Sequence, residues 1–428
     1  MTSPIKPNNN RFKNNLQSTS PAVSTITNQI WDELSSIDKS RLVNIKKKVL
    51  KSVILNCDIV ADLSEKKIRY SRNKNTYNMA PLRYRYTHNR YSTFVPIIDA
   101  LAESGFICND IELQIKGNSL QSTFFPTAKL IERLDSIDKS MYKFTPYPDP
   151  IILRNKEGIS VDYVDTYEST QDRKELKAYN ELRGAFNLSM KNIPAEFLND
   201  KNTFEILSRF SYKGKDENEF LIKPTFAHRV YNESFQRGGR YYGTLETQIP
   251  SELRPLILID GQESIELDYS SYHIRMLYHK KGIDYREDAY GALSDGNPVL
   301  RKVFKQIGLI SINANDFNAA IQGYIADVKK EVPLEGFTDL TYEQLKAYMT
   351  QWMEFHSPIN EYFFSDAGAK LQNIDSKISS KVIKHFVDKG EMILCIHDSF
   401  IVKKSLEDEL QSSMVKYYFD EIGFVPKI

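Results

Sequence analysis

Cysteine is scarce in this sequence. Cys57, Cys108 and Cys395 are the only three among 428 residues, far apart and without CxxC spacing. That argues against a disulfide framework or a zinc site and is consistent with a reducing cytoplasm. No stretch approaches the roughly 20 apolar residues that a membrane span needs. Met1–Ser20 is rich in Pro, Asn, Ser and Lys and has no apolar run, so a signal peptide is not expected. An excess of one charge is lacking too: 57 basic against 56 acidic residues leave a net +1. Any nucleic-acid contact must therefore come from local basic patches. A soluble, cytoplasmic protein with no membrane partner is expected.

What is present is ordinary in bulk, with 41% hydrophobic and 26% charged residues, and long enough for two or three domains with a sizeable core. The 25 Tyr and 23 Phe suit cores or base stacking, cores being the commoner use. Residues 1–27 read as a disordered tail on composition. Between Ile30 and Val60, Trp31, Leu34, Ile37, Leu42, Ile45, Val49 and Val53 recur at helical spacing and predict two helices. Lys46–Lys48 and Lys51 read as a solvated helix face. Residues 61–80 are polar and basic, a linker or a phosphate-tracking loop. An amphipathic helix follows over Tyr91–Phe106, then two strands at 111–115 and 122–126 about a Lys116-Gly117-Asn118 turn, then a helix from Thr127. Residues 28–145 thus have the element order of a winged-helix module, with Arg83, Arg85 and Arg90 as phosphate contacts. A small α+β domain without nucleic acid reads equally well. Pro146, Pro148 and Pro150 mark a boundary, and helical spacing returns over Asp172–Leu188 and Ala195–Phe210.

Chemistry-bearing residues gather in the C-terminal half. Ser264–His279 begins with strand alternation and changes to helical spacing at Asp268, which puts a carboxylate at a strand-to-helix junction. A helix cap explains Asp268 or Ser270 equally well in isolation. Upstream, Arg229–Gly243 mixes glycines with Arg237, Arg240, Tyr241 and Tyr242, followed by Gln248-Ile249-Pro250. Glycine admits close backbone approach, arginine grips phosphates and tyrosine stacks; a basic hairpin is the plainer reading. Downstream, Arg301 and Lys305 lie four apart and would project from one helix face, a fork and a point charge suited to a triphosphate. Finally, two apolar runs in Met392–Val402 flank His397-Asp398-Ser399. A carboxylate there is costly unless it is paired, binds a cation or caps the turn.

Taken together, Asp268-Tyr269-Ser270 with Arg275 seven on, the Arg301/Lys305 pair and the His397-Asp398 hairpin stand in the order of motifs A, B and C of the family A DNA polymerases. From Arg229 to Val402 the chain resembles that family and, equally, the related phage-type single-subunit RNA polymerases, to which Ile396–Phe400 leans. The resemblance implies an α+β right-hand polymerase. Its palm, with an antiparallel sheet, and compact helical fingers would span 229–428. A linker and thumb-like helical region would span 146–228, after the winged-helix-like domain. It further implies two Mg²⁺ ions, with Mn²⁺ as a substitute, held by Asp268, Asp398 and the backbone carbonyl of Tyr269. Arg301 and Lys305 would neutralise the triphosphate, with Lys305 a proton donor to the leaving group. Arg237, Arg240, Tyr241, Tyr242, Gln248, Arg275 and His397 would contact nucleic acid. The implied partners are template, primer, nucleoside triphosphates and an unspecified replication protein. Two positions depart from the pattern. His273 stands where the DNA polymerases carry Glu, and Asn313 where both families carry Tyr, so sugar choice and base fit would rest on different residues. A proofreading exonuclease domain is not expected in the N-terminal part. The activity implied is template-directed nucleotidyl transfer, priming and RNA synthesis included, as in a compact replicative enzyme of a mobile element. The competing reading is a DNA-binding replication or regulatory protein with a non-catalytic palm.

Overall fold

The structure is a computed structural model, described over residues 12–61, 63, 67–111, 122–135, 137–214, 216, 218–328 and 340–428. It is mixed α/β with antiparallel sheets, and it divides into two compact units. Among the described residues no helix is long and apolar enough to cross a membrane.

The first unit comprises Met1–Ile152, Ile159–His228 and Tyr242–Glu263. Its helices Pro21–Glu33 and Val43–Ala61 bury Val23, Ile30, Trp31, Val49, Leu50 and Val53, the stripe that the helical spacing required. Residues 12–27, expected to belong to a disordered tail, are ordered. Leu16–Ser18 forms a strand against Tyr142–Phe144, Leu16 is fully buried, and the Asn56 side chain satisfies the backbone N–H and C=O of Lys13. A single apolar anchor and a polar clasp order a segment whose average composition is polar. Lys47 and Lys51 donate to Asn28 and Ser24 of the neighbouring helix.

Helix Tyr91–Glu103 precedes a three-stranded sheet with Thr123–Pro126 between Ile68–Arg69 and Ile107–Asp110, and helix Ala128–Leu134 follows. Ile107–Asp110 pairs with Thr123–Pro126; residues 112–121, where most of the expected first hairpin strand and its turn fall, lie outside the described residues. Just past the proline-marked boundary the chain leaves the first unit only for Leu153–Gly158 and returns to it at Ile159. Arg83 binds Asp149 and Asp162, and Arg173 binds Asp149 and Asp165, tying the segments on either side together. Helix Tyr167–Ala185, capped by Thr166, leads into a sheet of Ser211–Lys213, Glu219–Ile222, Leu188–Lys191 and Ile257–Ile259.

The second unit comprises Leu153–Gly158, Arg229–Tyr241 and Ser264–Ile428. The region expected as one continuous 229–428 domain is therefore interrupted, and Tyr242 and Gln248 belong to the first unit. Strand Gln262–Asp268 contributes Ser264–Asp268, which pairs with Ser399–Lys403, itself paired with Leu394–Ile396. Helices Tyr272–Lys280, Pro298–Asn313, Phe317–Val328, Tyr342–Phe355, Gly368–Lys389 and Glu407–Ile422 surround these strands in sequence. Fully buried Phe400, Val402, Phe386, Ile378 and Met414 form the core. In helix Pro298–Asn313 a Cβ on Gly308 would stand 2.9 Å from the Trp352 ring, so only glycine lets the helix approach that closely.

Candidate active site

The site is built where two chain reversals meet. Strand Ser264–Asp268 ends at Asp268, and Ser271 at the cap of the next helix adopts left-handed backbone, φ 49°, without a side-chain cap bond. The cap position thus falls to Ser271 rather than to Asp268 or Ser270; the Ser270 N–H donates to the Lys427 carbonyl at 2.8 Å. The second reversal is the two-residue turn His397-Asp398, with His397 also left-handed at φ 59°. Non-glycine residues in that region carry strain that their surroundings must hold. Here the Ser379 hydroxyl donates to the His397 carbonyl at 3.0 Å. The register pairs Asp268 with Ser399, and the Tyr269 N–H reaches the Asp398 carbonyl at 3.5 Å. Asp398 precedes Ser399, so the two carboxylates flank one point at the strand ends.

Both carboxylates line a cavity of about 740 Å³ whose wall also carries Arg240, His273, Arg301 and Lys305. Asp268 keeps accessible atoms at the cavity floor, yet most of its surroundings are protein. Desolvation, with the charges of Asp398 and Glu266, pushes its carboxyl up to about 7, and Lys305 opposes the shift. This is like-charge crowding in poor solvent, a state that an added cation relieves. Ser399 Oγ donates to Glu266 at 2.6 Å, turning that third carboxylate to a structural bond.

Helix Pro298–Asn313 supplies the opposite charge. Asn297 caps it and Pro298 occupies its first turn, a favoured start. Val303, Phe304 and Ile307 face the core, which turns Arg301 and Lys305 to the cavity. Arg301 is engaged by Asp288 through two bonds of 2.9 and 3.1 Å, so a triphosphate would have to displace a carboxylate. Lys305 has no ion-pair partner among the described residues.

The cavity's other wall rests on Asp375 of helix Gly368–Lys389, fully buried. Arg240 Nε donates to Asp375 Oδ2 at 2.8 Å, and His273 Nε2 lies 3.1 Å from the same oxygen. Burial would raise this carboxyl, but the bonds and charges of His273 and Arg240 outweigh it and hold it below the usual range. Asp375 was not foreseen, although it occupies an apolar stripe of Leu371, Ile378 and Val382, where a carboxylate is costly unless partnered. Asp288 and Tyr290 stand out in the sequence between Asp268 and the Arg301/Lys305 helix, but nothing local assigns them a role.

Several expected site residues have other employment. Arg275, 2% exposed, donates to the carbonyls of Ser270, Tyr285 and Glu287 and organises the following loop. Arg237 pairs with Asp366 at 2.5 Å, and the Tyr241 hydroxyl meets Ser380 at 2.8 Å. The glycines beside them serve packing rather than ligand approach. Gly239, at φ +94°, would place a Cβ 2.7 Å from the Tyr231 ring, and the Gly238 carbonyl accepts from Asn373 and Ser376. Asn313 ends its helix with its side chain bonded to the Leu309 carbonyl at 2.7 Å. Neither Asn313 nor the His397 side chain lines the cavity. In the first unit, Arg83 is held by its aspartates, Arg85 donates to the Ala80 and Asn78 carbonyls, and Arg90 stands at the start of helix Tyr91–Glu103.

Among the described residues no group of three or more His, Cys, Asp or Glu side chains is arranged to hold a metal. The adjacent carboxylates Asp268 and Asp398, both open to the cavity, nevertheless fit a divalent ion such as Mg²⁺, which keeps waters and shares few carboxylates with substrate phosphates.

No family model matches the chain, and no curated protein matches it. Among solved structures it is similar to the POL domain of Pol1 from M. smegmatis, in complex with DNA primer-template and dNTP, at 15% identity and a TM-score of 0.34. The likeness covers 53% of this chain and 49% of that one, so the chain spans about half the length of that structure. So slight a likeness carries no argument about the site.

Proposed function

We propose that the chain is a template-directed nucleotidyltransferase, with Asp268 and Asp398 as the carboxylates of a two-ion site. One observation carries this reading: the two aspartates converge at strand ends in one cavity with Lys305 and Arg301. In this proposal the second unit acts as palm and compact fingers, helix Tyr167–Ala185 belongs to a thumb-like arm, and the module over residues 67–135 is winged-helix-like.

Divalent cations bound by Asp268, Asp398 and the Tyr269 carbonyl would supply Lewis-acid activation and charge stabilisation for phosphoryl transfer. The chain's own residues do the rest. Lys305 Nζ neutralises the triphosphate and gives a proton to the departing pyrophosphate. Arg301 exchanges Asp288 for phosphate oxygens, a bidentate grip in either state. His273, oriented by Asp375, presents its ring where the sugar of the incoming nucleotide lies. Asn313, bonded to the Leu309 carbonyl at the end of the same helix, is given no role in that selection.

The test is synthesis with Mg²⁺ or Mn²⁺ on primed and unprimed single-stranded templates, with deoxy- and ribonucleotides supplied separately. Wild-type protein should extend or initiate on template, and Asp268→Ala and Asp398→Ala should not. Product that persists in both variants would sink the site assignment. Template binding with no product under any condition would instead favour a DNA-binding replication or regulatory protein.

A further inference from the structure

The first unit holds a different kind of surface. Between Lys67 and Ile98 the sequence places seven Lys or Arg and five Tyr without one Asp or Glu. Folding neutralises only part of that charge. Lys67, Arg72 and Arg83 reach carboxylates from other segments. Arg69, Lys74, Arg85 and Arg90 have no carboxylate partner among the described residues. Two adjoining hollows of about 300 and 370 Å³ open here and share Tyr77, Arg85, Tyr86 and Asn89.

The tyrosines are held rigidly. Tyr77 packs edge-on against Tyr91 at 5.8 Å and tilted against Phe94 at 6.2 Å. The Tyr86 ring lies 5.6 Å from His88, and its hydroxyl donates to the Pro146 carbonyl. Each remains only half-buried, so part of each ring is left to the hollow. Asn89 Oδ1, common to both hollows, is buried without a hydrogen-bond donor, and an acceptor in that state favours a ligand that brings an N–H. Fixed aromatic faces, cations without carboxylates and an unmet acceptor together describe a stacking platform in a positive groove.

We propose that this Tyr–Arg face binds single-stranded nucleic acid, with bases against Tyr77 and Tyr86 and backbone phosphate at Arg85. Exposed base faces are needed for stacking and a duplex hides them, so single strands are preferred. The inference goes beyond the catalytic proposal: it requires no turnover and stands if Asp268 and Asp398 do no chemistry.

The test uses the full chain without nucleotides or metal. Fluorescence anisotropy compares labelled oligodeoxythymidylate, oligouridylate and a duplex of the same length across a salt series. In parallel, a bromouracil-substituted strand is photocrosslinked to wild-type protein and the attached peptide is mapped. Single strands should bind about tenfold or more tighter than duplex, and Tyr86→Ala should lose about tenfold, as for one stacking aromatic. Arg85→Gln should lower the salt slope by about 0.7, one phosphate contact. The ratio of deoxy to ribo binding assigns the sugar. Equal binding of duplex overturns the proposal, as do crosslinks confined to peptides outside Lys67–Ile98. The wild-type crosslink decides the matter even where Tyr86→Ala fails to fold. Binding that persists when Asp268→Ala abolishes synthesis separates this face from the catalytic cavity.

Discussion

Asp268 and Asp375 are both poorly hydrated carboxylates on the walls or supports of one cavity, and their electrostatics run in opposite directions. Asp375 meets Arg240 and His273 on one oxygen and is held ionised. Asp268 meets Asp398 and Glu266, with only Lys305 opposed, and is pushed up to about 7. Desolvation raises both carboxyls, although Asp375 is fully buried and Asp268 opens to the cavity; the sign of the neighbouring charge sets the opposite outcomes. The same contrast recurs in the first unit. Arg183 and Glu246 have side chains 2% exposed and are bonded twice, at 2.8 and 3.1 Å, whereas Lys223, equally buried, donates to the Arg209 carbonyl at 3.3 Å and lies over the Tyr142 ring, with no carboxylate partner among the described residues. A buried charge with a fixed partner belongs to the fold. One that faces its own sign is a place where the fold tolerates cost, and such places mark function more often than partnered ones.

The largest effect expected is on activity. Asp268→Asn should lower nucleotidyl transfer about a thousandfold or more, the size of several kcal/mol of transition-state stabilisation. The same substitution should leave the melting temperature unchanged or raised, because it removes repulsion with Asp398. A large loss of stability in this variant would break the comparison, since Asp268 would then be a structural carboxylate like Asp375.

Asp375→Ala should do the reverse. It leaves Arg240 facing the interior without its partner, and removing one side of a buried pair costs about 3–5 kcal/mol. Denaturant unfolding would measure it. The double variant Arg240→Met/Asp375→Leu sharpens the point, because replacing both partners by apolar residues is often close to neutral. Recovery of most of the lost stability, with substrate affinity still impaired, would identify the pair as a support for His273.

How much of this was legible beforehand follows the range of each interaction. Ser264–Asp268 as a strand, Tyr272–Lys280 as a helix and Arg301 with Lys305 on one face could be read from periodicity, which is local. The His397-Asp398 turn could be read because two apolar runs enclose it. Asp375 could not be assigned a role, because its partners lie 135 and 102 positions away and depend on how helix Gly368–Lys389 sits against its neighbours. Distance in sequence also hid the employment of Arg237 with Asp366 and of Arg83 with Asp149, so both read as free cations. At Gly238 and Gly239 ligand approach and a plain hairpin both stayed open for a related reason: positive φ and a crowded helix contact need glycine as much as a ligand does. The ordered strand at Leu16 escaped a compositional reading because one buried leucine hardly changes an average.

The smallest effect tests the comparison away from the candidate active site. Lys223 is 1% exposed, and its natural counter-ion is occupied elsewhere: Asp58 accepts from the Tyr142 hydroxyl at 2.8 Å and lies 3.6 Å from Lys139. Burial, reinforced by Lys139 and only partly opposed by Asp58, brings the Lys223 ammonium down to about 7. Between pH 7 and the ordinary lysine range near 10.4 the unfolded chain holds a proton that the native chain lacks. Stability therefore rises with pH across that window, and at pH 6 the full cost of a buried ammonium is present. Lys223→Met keeps the aliphatic volume and removes the charge, so it should stabilise the protein by about 1–3 kcal/mol at pH 6. The gain should shrink as pH rises toward 10, where wild type no longer carries the charge. Urea unfolding of both proteins at pH 6, 8 and 9.5 reads the trend directly. A destabilised variant, or a difference that ignores pH, would mean that Lys223 is partnered in the manner of Arg183 and that the contrast holds only at the cavity.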